Sequence, residues 1–130
     1  MKNVYSKLKG YSITAIDHFL NPRNVGEIEN ATFVATARNP VCGDLMKLYV
    51  DAENGKIRDV KMKAFGCTAL IACASMLTEL MKSKTMEECS SITAERIISE
   101  LGKLPDEKRS CAKTAEMAIN MILENWRGKK

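Results

Sequence analysis

Three of the five cysteines lie beside expected chain reversals, where a thiol can face a ligand. Cys42 sits in Asn39-Pro40-Val41-Cys42-Gly43-Asp44, a turn that enters a strand pattern. Cys67 sits in Phe65-Gly66-Cys67-Thr68, where a strand pattern gives way to a helical one. Cys111 falls in the first turn or so of the last helical stretch, after Pro105. Helix N-termini present free N–H groups and positive potential, which favour a thiolate over a thiol. The thiolate is the form that binds soft metals or attacks sulfur. Gly43 and Gly66 remove side-chain bulk beside two of the three thiols. Asp44 joins them: in extended chain it projects to the same side as Cys42, at most ~7 Å away. That pair can flank one metal ion or one diiron unit. Toward iron, a carboxylate oxygen is harder and more exchangeable than sulfur, so a set of three thiolates and one carboxylate has one labile corner. Such a corner suits a site that must release what it holds.

The same residues have a plainer reading. The thiols are separated by 24 and 43 intervening residues, which is no Cys-x-x-Cys knuckle, and buried cysteines are commonly inert packing groups. Cys73 and Cys89 fit that reading. On a helix Cys73 is turned roughly 120° from Cys67, and it sits between Ala72 and Ala74. Cys89 follows Glu87-Glu88 in an expected surface turn. His18, the single histidine, has no cysteine near it in sequence and is expected to cap or pack a helix end. Met76, Met81, Met86, Met117 and Met121 fall mostly at helical core spacing and read as gap-filling core. No phosphate-binding glycine loop, nucleophile elbow or His-Glu-x-x-His motif occurs.

The elements that must position these groups follow from periodicity. Residues 10–20 read as a short amphipathic helix with Ile13, Ile16 and Leu20 on one face, stopped by Asn21-Pro22. Strands are expected over 32–38, 45–51 and 56–64, with Glu53-Asn54-Gly55 as a hairpin turn. In the third strand Val60, Met62 and Ala64 share one face, and Asp59, Lys61 and Lys63 the other, so one sheet face is wet. From Thr68 to Lys82, Leu70, Ala74, Leu77 and Met81 make a helical stripe. A shorter helix covers 93–102 with Thr93 as N-cap. The last spans about 107–127, with Ala115, Ala118, Ile119, Ile122 and Trp126 on its apolar side. The expectation is an α+β fold: a three-stranded antiparallel sheet with helices packed on one face.

Composition narrows the function classes. A chain of 130 residues, 45% apolar and 28% charged, is expected to form a single domain over residues 1–130 with its own core. Seven aromatic residues are too few for a single-strand stacking platform. The 20 basic and 16 acidic residues, net +4, are interspersed, and the tail Arg127-Gly128-Lys129-Lys130 reads as a solvated end. No nucleic-acid partner is expected. The longest uncharged run, Ala64–Thr78, is shorter than the ~20 residues of a spanning helix. Met1–Gly10 lacks the apolar stretch of a signal peptide. No membrane partner is expected, and the location is expected to be a reducing cytoplasm, where five cysteines stay unpaired.

Several ordered segments resemble one family. Asp17-His18-Phe19-x-Asn21-Pro22-Arg23-Asn24-Val25-Gly26 resembles the N-terminal signature of the IscU/NifU-type iron–sulfur cluster assembly scaffolds. Pro40-x-Cys42-Gly43-Asp44-x-Met46-Lys47-Leu48 is similar to the segment bearing the family's first cysteine and its aspartate. Phe65-Gly66-Cys67-x-x-x-Ile71-Ala72 resembles the second segment, and Leu104-Pro105-x-x-Lys108-x-x-Cys111 with Ala115-Glu116-x-Ala118-Ile119 the third. The likeness is collinear from about Tyr11 to Trp126. It implies an IscU/NifU N-terminal-like (SufE-like) fold and a scaffold rather than an enzyme. On that scaffold sulfide and iron would combine into a [2Fe–2S] cluster that passes to apo iron–sulfur proteins. Sulfur would arrive as persulfide from a cysteine desulfurase of the IscS/NifS type, with Cys111 as acceptor. Cys42, Asp44, Cys67 and Cys111 would bind Fe²⁺ and the cluster, and Lys108 would help retain negative charge. The family also binds Zn²⁺ at these residues, and tetrahedral zinc suits a Cys₃Asp set in the cluster-free form. A homodimer around the cluster is compatible with the resemblance.

Two positions depart from the family pattern. Ser110 stands where a histidine usually precedes the last cysteine, and a serine hydroxyl is a poor iron ligand, so Asp44 becomes the expected fourth ligand. Leu104-Pro105-Asp106-Glu107-Lys108 replaces the usual Leu-Pro-Pro-Val-Lys loop. Its acidic pair weakens the fit to an apolar chaperone groove, so Hsp70/Hsp40-type partners are not expected. The family's zinc-dependent sulfurtransferase branch carries an insertion between its second and third cysteines that is absent here, which favours the cluster-building branch. The rival readings are a zinc-bound sulfur relay that never holds iron, and an interaction domain whose cysteines are buried.

Overall fold

The structure, a computed structural model, describes residues 8–129. The parts of the sequence reading that fall on Met1–Lys7 and on Lys130 lie outside those residues. In chain order it contains α1 (Ile13–Leu20), β1 (Phe33–Arg38), β2 (Leu45–Glu53), β3 (Lys56–Phe65), α2 (Thr68–Met81), α3 (Ala94–Leu101) and α4 (Arg109–Gly128). Single 3₁₀ turns cover Glu88–Ser91 and Asp106–Lys108.

The sheet is antiparallel with β2 in the centre, Ala35 opposite Leu48, and Leu48 opposite Met62. Asn54 (φ 54°) and Gly55 (φ 78°) both take the left-handed conformation, as a two-residue hairpin turn requires. Inward residues Phe33, Ala35 and Ala37, then Met46, Leu48 and Val50, then Val60 and Met62 are buried. Between them Thr36, Lys47, Lys61 and Lys63 face away from the core. Two helices pack on this inner face: α4 against β1 and β2, and α2 against β3. The free edge of β3 is covered by the segment before β1, where Gly26 N–H donates to Met62 O (2.9 Å) and Met62 N–H donates to Asn24 O (2.8 Å). Covering an edge in this way removes a template for unwanted strand pairing.

The α+β architecture agrees with the periodicity, and each expected helix and strand is present within a few residues of its expected ends. Thr93 caps α3 as expected, its hydroxyl accepting from Arg96 N–H at 3.1 Å. Four details differ. The buried face of α1 is Ala15 and His18, whereas Ile13 is 87% exposed and Leu20 is 56% exposed. Small Ala15 permits close approach to α2, and His18 Nδ1 shares a hydrogen bond with buried Ser75 Oγ at 2.7 Å. A polar contact therefore sets the orientation of this helix, against its apolar pattern. Next, α2 is buried on nearly all sides, and its expected stripe is only part of its buried surface. The expected surface turn at Cys89 is a 3₁₀ turn that tucks this thiol fully into the core. Finally, Met76, Met81 and Met86 are core residues, but Met117 is exposed.

Candidate metal centre

The end of the sheet that carries Arg38, Leu45 and Phe65 meets the N-termini of α2 and α4. Three chain segments converge there. The first is the loop Asn39–Asp44, folded on itself by Asn39 N–H donating to Asp44 O and Gly43 N–H donating to Asn39 O, both at 2.7 Å. Gly43 is left-handed (φ 78°), which reverses the chain and sends Asp44 back toward the sheet. The second segment is Gly66-Cys67, where β3 ends and Cys67 takes the N-cap position of α2 in extended conformation. The third is the first turn of α4, whose third residue is Cys111.

One ligand atom each from Asp44, Cys67 and Cys111 lies within 4.8 Å of the other two. The Cys67 and Cys111 sulfurs are 3.6 Å apart. Asp44 Oδ2 accepts from Cys67 N–H at 3.1 Å, the N–H of the N-cap residue itself, whose own side chain makes no capping hydrogen bond. That contact depends on Gly66, since a Cβ there would overlap the Asp44 carboxyl group. Cys42 is exposed on the loop and stands outside this tight trio. Its thiol still contributes to the electrostatics of Asp44 and Cys111.

The carboxyl of Asp44 is held below its usual range, first by the Cys67 N–H, with the Cys67 and Cys42 side chains and the charge of Lys108 adding to the effect. Cys111 moves the other way. Burial pushes it up to about 12, charge at Cys67 and Cys42 adds to this, and Lys108 opposes it. The helix N-terminus thus loses to burial at Cys111, which is 2% exposed. A cation brought between Asp44, Cys67 and Cys111 reverses that balance, because the thiolate then has a partner and the proton leaves. One oxygen and two sulfurs within this span, with a third sulfur on the adjoining loop, form a donor set suited to iron or zinc.

The remaining candidates separate cleanly. Lys108 is half-buried at the N-cap of α4, next to the trio in charge if not in contact. Cys73 and Cys89 are fully buried, and burial raises both thiols, Cys89 to about 11. His18 packs against Ser75 and plays no part in the centre. Asp106 and Glu107 are exposed.

Sequence reasoning missed two residues. Tyr11 lies close enough to the thiols that its hydroxyl is raised to about 12, by burial first and then by charge at Cys67, Cys111 and Cys73. Nothing local marks it, because Cys67, Cys73 and Cys111 are all distant from it in sequence. Asn39 is 1% exposed and organises the Cys42 loop. Its signal was visible in part, since Asn before Pro is a common turn opener.

Residues 10–130 match the model of the NifU-like N terminal domain family. The chain is 46% identical over 116 residues to the iron–sulfur cluster assembly scaffold protein IscU 1 of Archaeoglobus fulgidus, covering 89% of this chain and 76% of that one. It is 41% identical over 118 residues to the scaffold protein IscU of Aquifex aeolicus, covering 89% and 75%. A crystal structure from Fervidobacterium islandicum AW-1, named as a cluster assembly scaffold for the SUF system, superposes with a TM-score of 0.72 at 27% identity, covering 87% of this chain and 96% of that one. Fold and sequence agree, and the chain belongs to the NifU-like N-terminal domain family, as an IscU/NifU-type scaffold.

Proposed function

We propose that this scaffold receives sulfur from a cysteine desulfurase, combines it with Fe²⁺ into a [2Fe–2S] cluster on Cys42, Asp44, Cys67 and Cys111, and passes the cluster to apo-proteins. The observation that carries this reading is the convergence of Asp44, Cys67 and Cys111 within 4.8 Å, from three distant stretches of chain. Inert packing cysteines have no reason to gather around a carboxylate, and Cys73 and Cys89, though fully buried, do not belong to this group.

Cys111 is the sulfur acceptor in this scheme. Its thiolate attacks the outer sulfur of the desulfurase persulfide, a new S–S bond forms at Cys111, and the desulfurase thiolate leaves. Each transferred sulfur takes two electrons to become sulfide: one comes from an Fe²⁺ that becomes Fe³⁺ of the oxidised cluster, and one from an external reductant. Because Cys111 is buried and its thiol is raised, attack requires a nearby positive charge, and Lys108 supplies one. Asp44 is the exchangeable ligand, since its oxygen binds iron less tightly than the thiolates and is already engaged with the Cys67 N–H. In the cluster-free form Zn²⁺ occupies the same donors. The exposed Asp106-Glu107 pair disfavours chaperone-assisted release. Five free cysteines suit a reducing cytoplasm.

Anaerobic incubation with Fe²⁺, cysteine and an active desulfurase should give the visible absorption of a [2Fe–2S] chromophore. Protein that stays colourless while the same desulfurase loads a known scaffold would overturn the proposal. Stoichiometric zinc with stimulation of the desulfurase and no iron uptake would replace it with the sulfur-relay reading.

A further inference from the structure

Asn39 is an almost fully buried amide whose bonding capacity is spread over two elements. Its backbone closes the Cys42 loop through Asp44 O and Gly43 N–H, both at 2.7 Å. Its Oδ1 accepts from Val41 N–H at 2.9 Å, inside the same loop. Val41 N–H can only donate, which fixes the amide orientation and leaves Nδ2 pointing the other way. That Nδ2 donates to Ser110 Oγ at 3.2 Å, at the first turn of α4 and next to Cys111. Ser110 is itself tied into the helix, its carbonyl accepting from Thr114 Oγ1 at 3.1 Å.

The geometry points to Asn39 and Ser110 as a positioning pair. They bind the loop that carries Cys42 and Asp44 to the helix that carries Cys111, and so set the register between the donors contributed by loop and helix. The inference rests on the proposed function for its purpose, but its geometry stands apart from any metal. It also gives Ser110 a role that does not need a ligand atom: the hydroxyl is a loop anchor, accepting from Asn39. The consequence reaches Asp44. If the loop comes loose from α4, the Asp44 carboxylate loses its fixed position over the Cys67 N–H, from which it accepts. A buried amide left unpartnered is unfavourable, so Asn39 has no comfortable alternative to this bond.

A test in metal-free, reduced, full-length protein uses amide hydrogen exchange at Gly43 and Cys67, with Ala72–Leu77 of α2 as a control for the fold. Neither reporter belongs to Ser110, so a purely local role for that serine would not move them. Ser110→Ala and Asn39→Ala should each speed exchange at both reporters about fivefold or more. The double variant should be no faster than Asn39→Ala alone, because that variant already removes the link to Ser110 together with the Val41 bond. Ser110→Thr, which keeps the hydroxyl, should match the parent. Unchanged exchange at Gly43 and Cys67, or effects that multiply in the double variant, would overturn the pairing. Zn²⁺ affinity, measured in parallel by competition with a chromophoric chelator, should fall about tenfold in each single variant and no further in the double. Parent protein that fails to bind Zn²⁺ counts against the proposed metal centre alone, while zinc affinity unchanged in the variants counts against the positioning role.

Discussion

Replacing Gly66 by alanine would place a Cβ 2.7 Å from that of Asp44, with no room between β3 and the Cys42 loop. Either the carboxylate swings out of the trio or the backbone shifts. Gly66→Ala should cost about 1–3 kcal/mol of stability and weaken zinc binding, as read by urea unfolding and chelator competition. Parent-like values on both would mean that Asp44 does not need its observed position. A second residue-scale prediction concerns His18. Its imidazole is held below the ordinary value of 6.5, first by burial and then by the Arg23 charge. Ser75 Oγ accepts from Arg23 N–H at 2.9 Å and is left to donate its O–H to His18 Nδ1, which suits neutral imidazole. A folded pKa below the unfolded one means the contribution is full above about 6.5 and is lost as pH falls through the folded value. Urea unfolding at pH 7.5 and 5.5 should show a drop on acidification that is smaller in His18→Gln. An equal drop in both would exclude His18 as the source. Sequence reading placed His18 in packing correctly, because a lone histidine without nearby donors has little else to do. It could not find Ser75, which lies 57 residues away.

At the scale of elements, strands and helix positions were legible because period-two and period-3.6 patterns survive wherever one face is wet. The β3 alternation and the Asn54-Gly55 turn are examples. The pattern misled at α1, where the residues that look like an apolar face are outside and Ala15 and His18 are inside. An eight-residue helix carries too few positions for periodicity to outweigh one buried hydrogen bond. The pattern was also incomplete at α2, whose Ala-rich and Cys-containing sides are packed against other elements rather than exposed. These two helices should respond oppositely to truncation. Leu77→Ala, in the buried interior of α2, should destabilise by about 2–5 kcal/mol. Ile13→Ser, on the exposed side of α1, should change stability by no more than about 0.5 kcal/mol. A large loss at Ile13 in urea unfolding would restore the original face assignment.

For the whole molecule, the sheet serves as a platform whose one end gathers a loop and two helix N-termini. The junction positions of Cys42 and Cys67 were readable, because Cys-Gly and Gly-Cys pairs sit at strand ends, and that of Cys111 because it opens the helical stretch after Pro105. Which of them touch was not readable, since separations of tens of residues carry no distance information until β2 and β3 are paired in register. The result is asymmetric: two thiols and a carboxylate form a compact trio, and the third thiol waits on the loop. That asymmetry fits a site that loads and unloads its cargo better than a closed structural knuckle. The most direct test of this account compares Cys67→Ser and Cys73→Ser in anaerobic reconstitution with Fe²⁺, cysteine and an active desulfurase. Cys67 stands at the N-cap of the helix that carries Cys73, and of the two only Cys67 belongs to the trio with Asp44 and Cys111. The [2Fe–2S] absorption should be lost or strongly altered in Cys67→Ser and kept in Cys73→Ser. Equal spectra from the two variants would contradict a cluster held at the convergence of Asp44, Cys67 and Cys111.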